Sequence, residues 1–165
     1  MDHGAIFPMM KALILLLLLP IAFAAQTKPC TLELKDAPAI RGLRLGMPRV
    51  EAQKTFPGEA TMVLIQKEAL QKTPGFEGVD LLSLSFISDR LAEISVLYEQ
   101  ITWRDSQEFA SRLSETMGLP AESWIHSHLN SSGLICKEFT VTAIPKGSNV
   151  VIASNDRVRR GSQTD

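Results

Sequence analysis

The chain has 165 residues, and its 17 basic and 18 acidic residues leave a formal net charge of −1 at pH 7. A near-neutral balance without a block of like charges gives no clustered basic face, which argues against nucleic acid as a partner. The roughly 140 residues that would remain after an N-terminal signal are enough for one domain with its own core and too few for two.

The N-terminal segment has the order of a secretory signal peptide. Lys11 precedes an apolar run, a proline breaks that run, and an Ala-x-Ala sequence ends at Ala24. The run is well short of the roughly 20 apolar residues that cross a bilayer as a helix. We therefore expect cleavage of residues 1–24, no stable membrane insertion afterwards, and a periplasmic or secreted protein. Met10 is the better initiator, because Asp2 is unusual in the positively charged start of a signal.

The mature chain has two cysteines, Cys30 and Cys136. Two thiols in an oxidising compartment favour a disulfide, which would close a loop of more than a hundred residues and stabilise the fold by about 4 to 5 kcal/mol. A free thiol is the first alternative. Lipid attachment at Cys30 is the second, but the preceding Thr-Lys-Pro does not fit a lipid-acceptor sequence.

The first half of the mature chain predicts short strands around one short helix. Alternation over 31–35 favours a first strand, and 61–66 is rich in β-forming residues. Pro48 and the pair Pro57-Gly58 bracket a helix of about two turns. We expect this helix to dock through its few apolar residues: Val50, Ala52 and Phe56.

The hairpin over residues 80–98 has the clearest pattern in the chain. Apolar residues at 82, 84 and 86 alternate with Ser83 and Ser85, and 91–98 alternates in the same way. A short polar connection joins the two segments. The pattern predicts an antiparallel hairpin with one buried and one solvated face.

A longer helix is predicted next. Asp105 is suited to cap its first backbone amides, with Glu108 three residues on, and Gly118 followed by Pro120 ends it. Its apolar residues recur at helical spacing: Phe109, Leu113 and Met117.

The C-terminal part predicts a loop, a second hairpin and a tail. Residues 121–133 form the longest irregular stretch and hold Trp124, His126 and His128. Strands are predicted over 134–144 and 150–153. The polar tail, 156–165, is predicted to be disordered.

Together these elements predict one α+β domain over residues 25–155. Strands and helices do not alternate as a parallel sheet requires. We therefore expect a single antiparallel sheet of about five strands with two helices packed on one face.

The sequence Ile-Arg-Gly-Leu-Arg-Leu-Gly-Met-Pro-Arg-Val-Glu-Ala over 40–52 places Gly46-Met47 directly before the short helix. This opening resembles that of small exported bacterial domains, including the small lipoprotein of the outer-membrane barrel-assembly machinery and domains of the β-lactamase-inhibitor-protein-like fold. The resemblance implies a helix packed on a following antiparallel sheet, and a role in protein–protein contact. Pro48 stands where such openings usually have a Ser or Thr cap, and Cys30 lacks a lipid-acceptor context, so the membrane-anchored role does not carry over.

His126-Ser127-His128 is the candidate metal site. Two imidazoles can share one metal ion, but a zinc site needs a third or fourth protein ligand, and only Glu122 is near in sequence. Two exposed loop histidines are the simpler interpretation. The sequence has no P-loop, dinucleotide fingerprint or Gly-x-Ser-x-Gly elbow. It favours a non-enzyme with no catalytic residue and no cofactor.

Trp124 is the candidate partner-binding residue, because amphipathic aromatics on loops often anchor interfaces. Trp103 has two interpretations. It is either a second interface anchor or, as we favour, a core residue that packs against the first turn of the longer helix. The leading hypothesis is an exported, non-enzymatic domain that contacts another envelope or extracellular protein through its solvated sheet face or the 121–133 loop. The alternative is a metal-binding or hydrolytic domain centred on His126 and His128.

Overall fold

A computed structural model describes residues 28–58, 60–99 and 101–156. The predicted signal peptide (1–24), the predicted start at Met10 and all of the predicted tail except Asp156 lie outside these residues. No helix in the described part of the chain is both long enough and apolar enough to cross a membrane.

The chain forms three α-helices and seven β-strands in the described residues, with 3-10 turns at Leu34–Asp36 and Ala121–Ser123. The helices are α1 (Arg49–Ala52), α2 (Lys67–Leu70) and α3 (Ser106–Met117). The strands are β1 (Met62–Gln66), β2 (Val79–Ile87), β3 (Arg90–Tyr98), β4 (Trp124–Ser127), β5 (Ser131–Ile135), β6 (Phe139–Ile144) and β7 (Asn149–Ser154).

The strands form one antiparallel sheet in the order β1-β2-β3-β7-β6-β5-β4. The α+β class and the single antiparallel sheet are therefore confirmed, while the numbers of strands and helices are corrected to seven and three. The extra strands have two sources: residues 121–133, predicted as a loop, hold β4 and the first part of β5, and the single strand predicted over 134–144 is interrupted between Ile135 and Phe139. The polar residues of 121–133 hide the strand pattern, since Ser131, Ser132 and Gly133 are poor β-formers.

The predicted first strand over 31–35 is wrong. The backbone N–H of Glu33 donates to the carboxylate of Asp36 over 3.1 Å, and Asp36 N donates to Glu33 O over 2.9 Å. These two bonds close a 3-10 turn, because an acidic side chain competes with sheet pairing for local backbone donors. Alternation over five residues was too short to outweigh that local bonding.

The β2–β3 hairpin is confirmed, and two register shifts adjust it. Asp80 is the extra residue between the pairs Val79↔Tyr98 and Leu81↔Leu97, and Ala92 is the extra residue near the turn. Each bulge adds one residue to one strand. The apolar residues before and after each bulge therefore point to the same face of the sheet.

The core lies on the face of the sheet that the helices cover. One register row crosses all seven strands with inward-facing side chains, in the order Val63, Leu84, Ile94, Ile152, Val141, Leu134 and Trp124. All but Val63 are buried. Helix α3 contacts β4, β5 and β6, α2 contacts β1 and β2, and α1 contacts β3.

The Gly46-Met47 opening extends the sheet before α1 begins. Gly46 N donates to Leu91 O, and Leu91 N donates to Met47 O, each over 2.8 Å. Strand β7 pairs with β3 only from Glu93 onward, so the opening occupies the place beside β3 that β7 leaves empty. Gly46 has φ +79°, which other residues rarely adopt. Of the apolar residues expected to dock α1, Ala52 and Phe56 are buried, whereas Val50 is exposed.

Both predicted ends of α3 are confirmed. The Asp105 carboxylate accepts from Glu108 N over 2.8 Å, while the Glu108 carboxylate accepts from Arg104 N over 2.8 Å. Gly118 ends the helix in the left-handed conformation at φ 69°. The hydrogen bond from Glu108 N, assisted by Arg104, holds the pKa of Asp105 below its ordinary value.

This cap predicts a specific pH dependence of stability. Because the pKa of Asp105 is lowered in the folded state, its ionised carboxylate stabilises the fold above about pH 4. This stabilisation is lost as the pH falls through the folded-state pKa. We expect the Tm of the wild type to exceed that of Asp105→Asn at pH 7 and the difference to vanish near pH 2. Asparagine is the matched control because it caps without titrating. A Tm difference that does not change over this range would contradict the assignment.

Candidate functional site

The disulfide between Cys30 and Cys136 is confirmed, with Cα atoms 4.5 Å apart. Neighbouring contacts join the same two segments: Lys137 N donates to Leu32 O over 3.2 Å, and the Lys137 ammonium lies 2.7 Å from the Glu33 carboxylate. That hydrogen bond lowers the pKa of Glu33. The bridge thus ties the N-terminal segment to the connection between β5 and β6 and leaves no free cysteine among the described residues.

Trp124 is not an exposed partner contact, so this prediction is wrong. It is the first residue of β4, faces Leu134 of β5, and is 3% exposed. Its indole Nε1–H donates to Ser114 Oγ of α3 over 2.7 Å. The sequence assigned it to a loop, but as a strand residue it points into the core, and the indole stabilises the docking of α3.

His126 belongs to a hydrogen-bonded network beneath the start of α3. Its Nδ1 lies 2.7 Å from Ser132 Oγ, and Ser132 Oγ donates to Ser106 O over 3.0 Å. Since the Ser132 proton points to that carbonyl, we assign Nδ1 as the donor to Ser132. The hydroxyl is therefore held as a structural link, oriented away from the arrangement in which a histidine base would take its proton.

The turn between β4 and β5 completes this network. The side-chain oxygen of Asn130 accepts from Ser106 N over 3.0 Å. Asn130 has φ 55°, a left-handed conformation that asparagine tolerates better than most residues. The hairpin missed in the sequence thus holds the N-terminus of α3 through side chains on both of its strands and its turn.

The structure does not assemble a metal site around the two histidines. His128 lies in the exposed turn after β4, and Glu122, the suggested third ligand, pairs with Lys28 over 3.3 Å. No group of three His, Cys, Asp or Glu side chains suited to a metal ion occurs in the described ranges. A metal-binding or hydrolytic role centred on His126 and His128 therefore gains no support from the geometry.

The helix-free face of the sheet brings together residues that the sequence did not connect. Its central register row crosses all seven strands in the order Leu64, Ser83, Ser95, Val151, Thr142, Gly133 and Ile125. At about 4.8 Å between strands the row is about 29 Å wide. A Cβ added at Gly133 would meet no atom within 4 Å, so the row is open to solvent there.

The helix-free face carries few charges. The alternation of side chains along each strand assigns to it the central row and the row on each side. Glu93 is the charged residue that the strands contribute to these three rows, and Arg90, opposite Ile87, lies on the same face beyond them. The middle strands carry both short and apolar side chains on this face. The short ones are Ser83, Ser85, Ser95, Thr140, Thr142 and Ala153, and the apolar ones are Leu81, Leu97, Val151 and Ile144. The serines of β2 were predicted on a solvated face. The structure places half-buried Ser83 near one end of a much wider surface, whereas Ser85 is buried, so the prediction is wrong for Ser85.

Apolar side chains stand at both ends of this face. Met62 and Leu64 of β1 and Ile125 and Ile135 at the other edge are 50% to 61% exposed. In the row that contains Met62 and Ile135, the inner residues Ser85 and Ala153 are only 4% and 5% exposed. Exposure in this row is therefore highest at its two ends, while Glu93 and Thr140 between them are half-buried.

The chain matches no protein-family model, no curated protein and no solved structure. The resemblance of residues 40–52 to exported bacterial protein-contact domains stays a prediction on those residues alone. The geometry of the helix-free face is therefore the basis for a functional proposal.

Proposed function

We propose that the chain is an exported, non-enzymatic binding domain of the cell envelope and that the helix-free face of its sheet contacts another protein. The observation that carries the proposal is the arrangement of that face. Its central row has short or apolar uncharged side chains on the middle strands, Glu93 lies in the neighbouring row, and half-exposed apolar side chains stand at both edges.

The middle of the face suits close contact with a protein surface. Interface centres are depleted in charged residues, because a buried charge without a partner loses its hydration. Ser83, Ser95 and Thr142 carry hydroxyl groups that both donate and accept hydrogen bonds. Short side chains also lose little conformational entropy on burial. A partner can therefore approach the strands closely at low cost.

The edges supply the apolar area that association needs. Met62 and Leu64 lie about 29 Å from Ile125 across the sheet, by the spacing of its strands. Single exposed apolar residues are common on protein surfaces, but a set that stands at both edges of one sheet face with few charges is typical of an interaction site. A partner that spans the face would bury both edges together.

Export is supported by the disulfide. Bridges of this kind persist in oxidising compartments and are rare in the cytosol. The Cys30–Cys136 bond closes a long loop and is part of the fold. Together with the predicted signal peptide, it supports a periplasmic or secreted destination and a partner from the same compartment.

Co-purification of two single variants, one on each side of the molecule, tests the proposal. Ser83→Arg places a long cation on the helix-free face, whereas Ser111→Arg places the same side chain on the exposed side of α3. From envelope fractions we expect the wild type and Ser111→Arg to recover the same partner and Ser83→Arg to recover at least tenfold less. Each good interface contact contributes about 1.4 kcal/mol or more, hence the tenfold change.

Thermal unfolding of both arginine variants is the control for folding. Both sites are on the surface, so we expect both Tm values to stay close to that of the wild type. Equal recovery by the two variants, or no partner recovered by the wild type, would contradict the proposal.

A further inference from the structure

A groove of about 530 Å³ lies on the helix-covered side of the sheet, between α3, the segment 39–41 and the residues Tyr98, Ile101 and Trp103. Pockets that hold small molecules commonly have volumes of about 300 to 1,000 Å³. It lies on the side of the sheet opposite to the helix-free face. A ligand bound there would leave the proposed protein-contact surface uncovered.

The floor of the groove is aromatic and apolar. Trp103 stacks on Phe109 with ring centroids 4.6 Å apart and an interplanar angle of 20°. The indole of Trp103 is fixed by a 3.1 Å hydrogen bond to Ser148 Oγ, and Ser148 is buried. Met117, two turns after Phe109 on α3, continues the apolar surface. The floor is thus a rigid aromatic surface extended by a flexible thioether.

Two arginines line the same groove, Arg41 from the N-terminal segment and Arg112 from α3. No aspartate or glutamate is among the described residues that line it. The ion pair of Arg112 with Glu115 over 3.1 Å is exposed on both sides, and such pairs contribute little, so a ligand carboxylate can compete for the guanidinium. Arg41 donates to the backbone carbonyl of Glu77 over 3.5 Å, a contact at the surface that a ligand can likewise replace. The groove therefore combines an apolar floor with two guanidinium groups held only by exposed contacts.

The backbone at Arg41 supports a role beyond folding. Ile40 and Leu43 exchange two 2.9 Å hydrogen bonds around Arg41 (φ 53°) and Gly42 (φ 86°), a tight turn with both central residues left-handed. Asparagine-glycine is the sequence that such a turn favours, and arginine at the first position is strained. Strain at a residue that lines a groove is typical of a functional position.

Tyr98 adds a polar atom inside the groove. Burial raises the pKa of its hydroxyl, and the charge of Arg41 opposes this shift. The hydroxyl therefore stays protonated at neutral pH and can donate a hydrogen bond to an anionic ligand.

We propose that this groove binds a small amphipathic carboxylate, with its apolar chain against Trp103 and Met117 and its carboxylate between Arg41 and Arg112. Arginine guanidinium groups match carboxylates in geometry and charge. The partner is a small molecule, since the groove is limited by α3 on one side and by the turn at Arg41 on the other.

Calorimetric titration with decanoate below its micelle concentration tests the site, with 1-decanol as the uncharged match. We expect one decanoate per chain and at least tenfold weaker binding of 1-decanol. Arg112→Gln is expected to weaken decanoate binding about tenfold, since a hydrogen bond to a charged group is lost. Arg41→Asn should weaken it similarly while the Tm stays equal or rises, because asparagine suits the left-handed turn.

The comparison of variants separates a specific site from non-specific adsorption. Ser83→Arg, on the opposite side of the sheet, should bind decanoate as the wild type does, so failure at this groove is distinguishable from failure of the protein-contact proposal. Equal affinity for decanoate and 1-decanol, unchanged affinity in both arginine variants, or no saturable binding would overturn the inference.

Discussion

Replacing both Cys30 and Cys136 by alanine is expected to lower the free energy of unfolding by about 4 to 5 kcal/mol. The two residues are 106 positions apart, so the bridge closes a loop that spans most of the domain. Without it, the unfolded chain regains the conformational entropy of that loop. Alanine is preferred to serine because both sulfur positions are buried.

Urea unfolding of the wild type and the double variant measures this effect. A wild-type sample unfolded in the presence of dithiothreitol is the control, and its stability should match that of the double variant. We expect the m-value of the variant to rise, since an unbridged chain exposes more surface on unfolding. A loss below about 1 kcal/mol would mean that the bridge does not restrain the unfolded chain as the entropy model requires.

Trp124→Ala is expected to cost about 3 to 5 kcal/mol of stability, the usual range for removing a buried aromatic side chain. The indole is 3% exposed and ends an inward-facing row that crosses the whole sheet. Its loss leaves a cavity between β4 and α3. Urea titration measures this loss in the free energy of unfolding. We expect partner recovery to fall only as far as the folded fraction falls.

Ser114→Ala is the matched control for the hydrogen bond. It keeps the indole in place and leaves Nε1–H without its acceptor, which should cost about 1 to 3 kcal/mol. The difference between the two variants separates the volume of Trp124 from its polar contact. A Trp124→Ala protein with wild-type stability but no partner recovery would contradict the core assignment and restore Trp124 as a contact residue.

The sequence predicted the elements whose signals are local. Helix α3 carries its own cap at Asp105 and its own terminator at Gly118, and both act within a few residues. The β2–β3 hairpin alternates over more than one strand length, so its buried face was evident. Its bulges at Asp80 and Ala92 were not evident, because a bulge depends on which residues pair across the two strands.

The elements that the sequence missed depend on contacts far along the chain. The β4–β5 hairpin is polar at Ser131 and Ser132, and it is stabilised by β6 on one side and by α3 through Ser106. No window of sequence contains those partners. The assignment of Trp124 as an exposed residue failed for the same reason, since its orientation follows from a strand that the pattern did not reveal.

The two candidate surfaces differ in how far they could have been predicted. The alternation of serines in β2 pointed to the helix-free face, but its width required the strand order, which places β7 beside β3 and β4 at the far edge. The groove required more, because Arg41 and Arg112 are 71 positions apart (112 − 41) and line the same groove only through the docking of α3. Strand order and helix docking are tertiary properties that no local pattern encodes.

Site-specific photo-crosslinking in cells that export the protein is the most direct test of the helix-free face as a protein-contact surface. A photoreactive amino acid at position 95, in the middle of that face, is compared with the same amino acid at position 111 on α3. We predict a discrete cross-linked protein from position 95 and none from position 111. Cross-links from position 111 alone, or none from either position while the protein is folded and exported, would contradict the account.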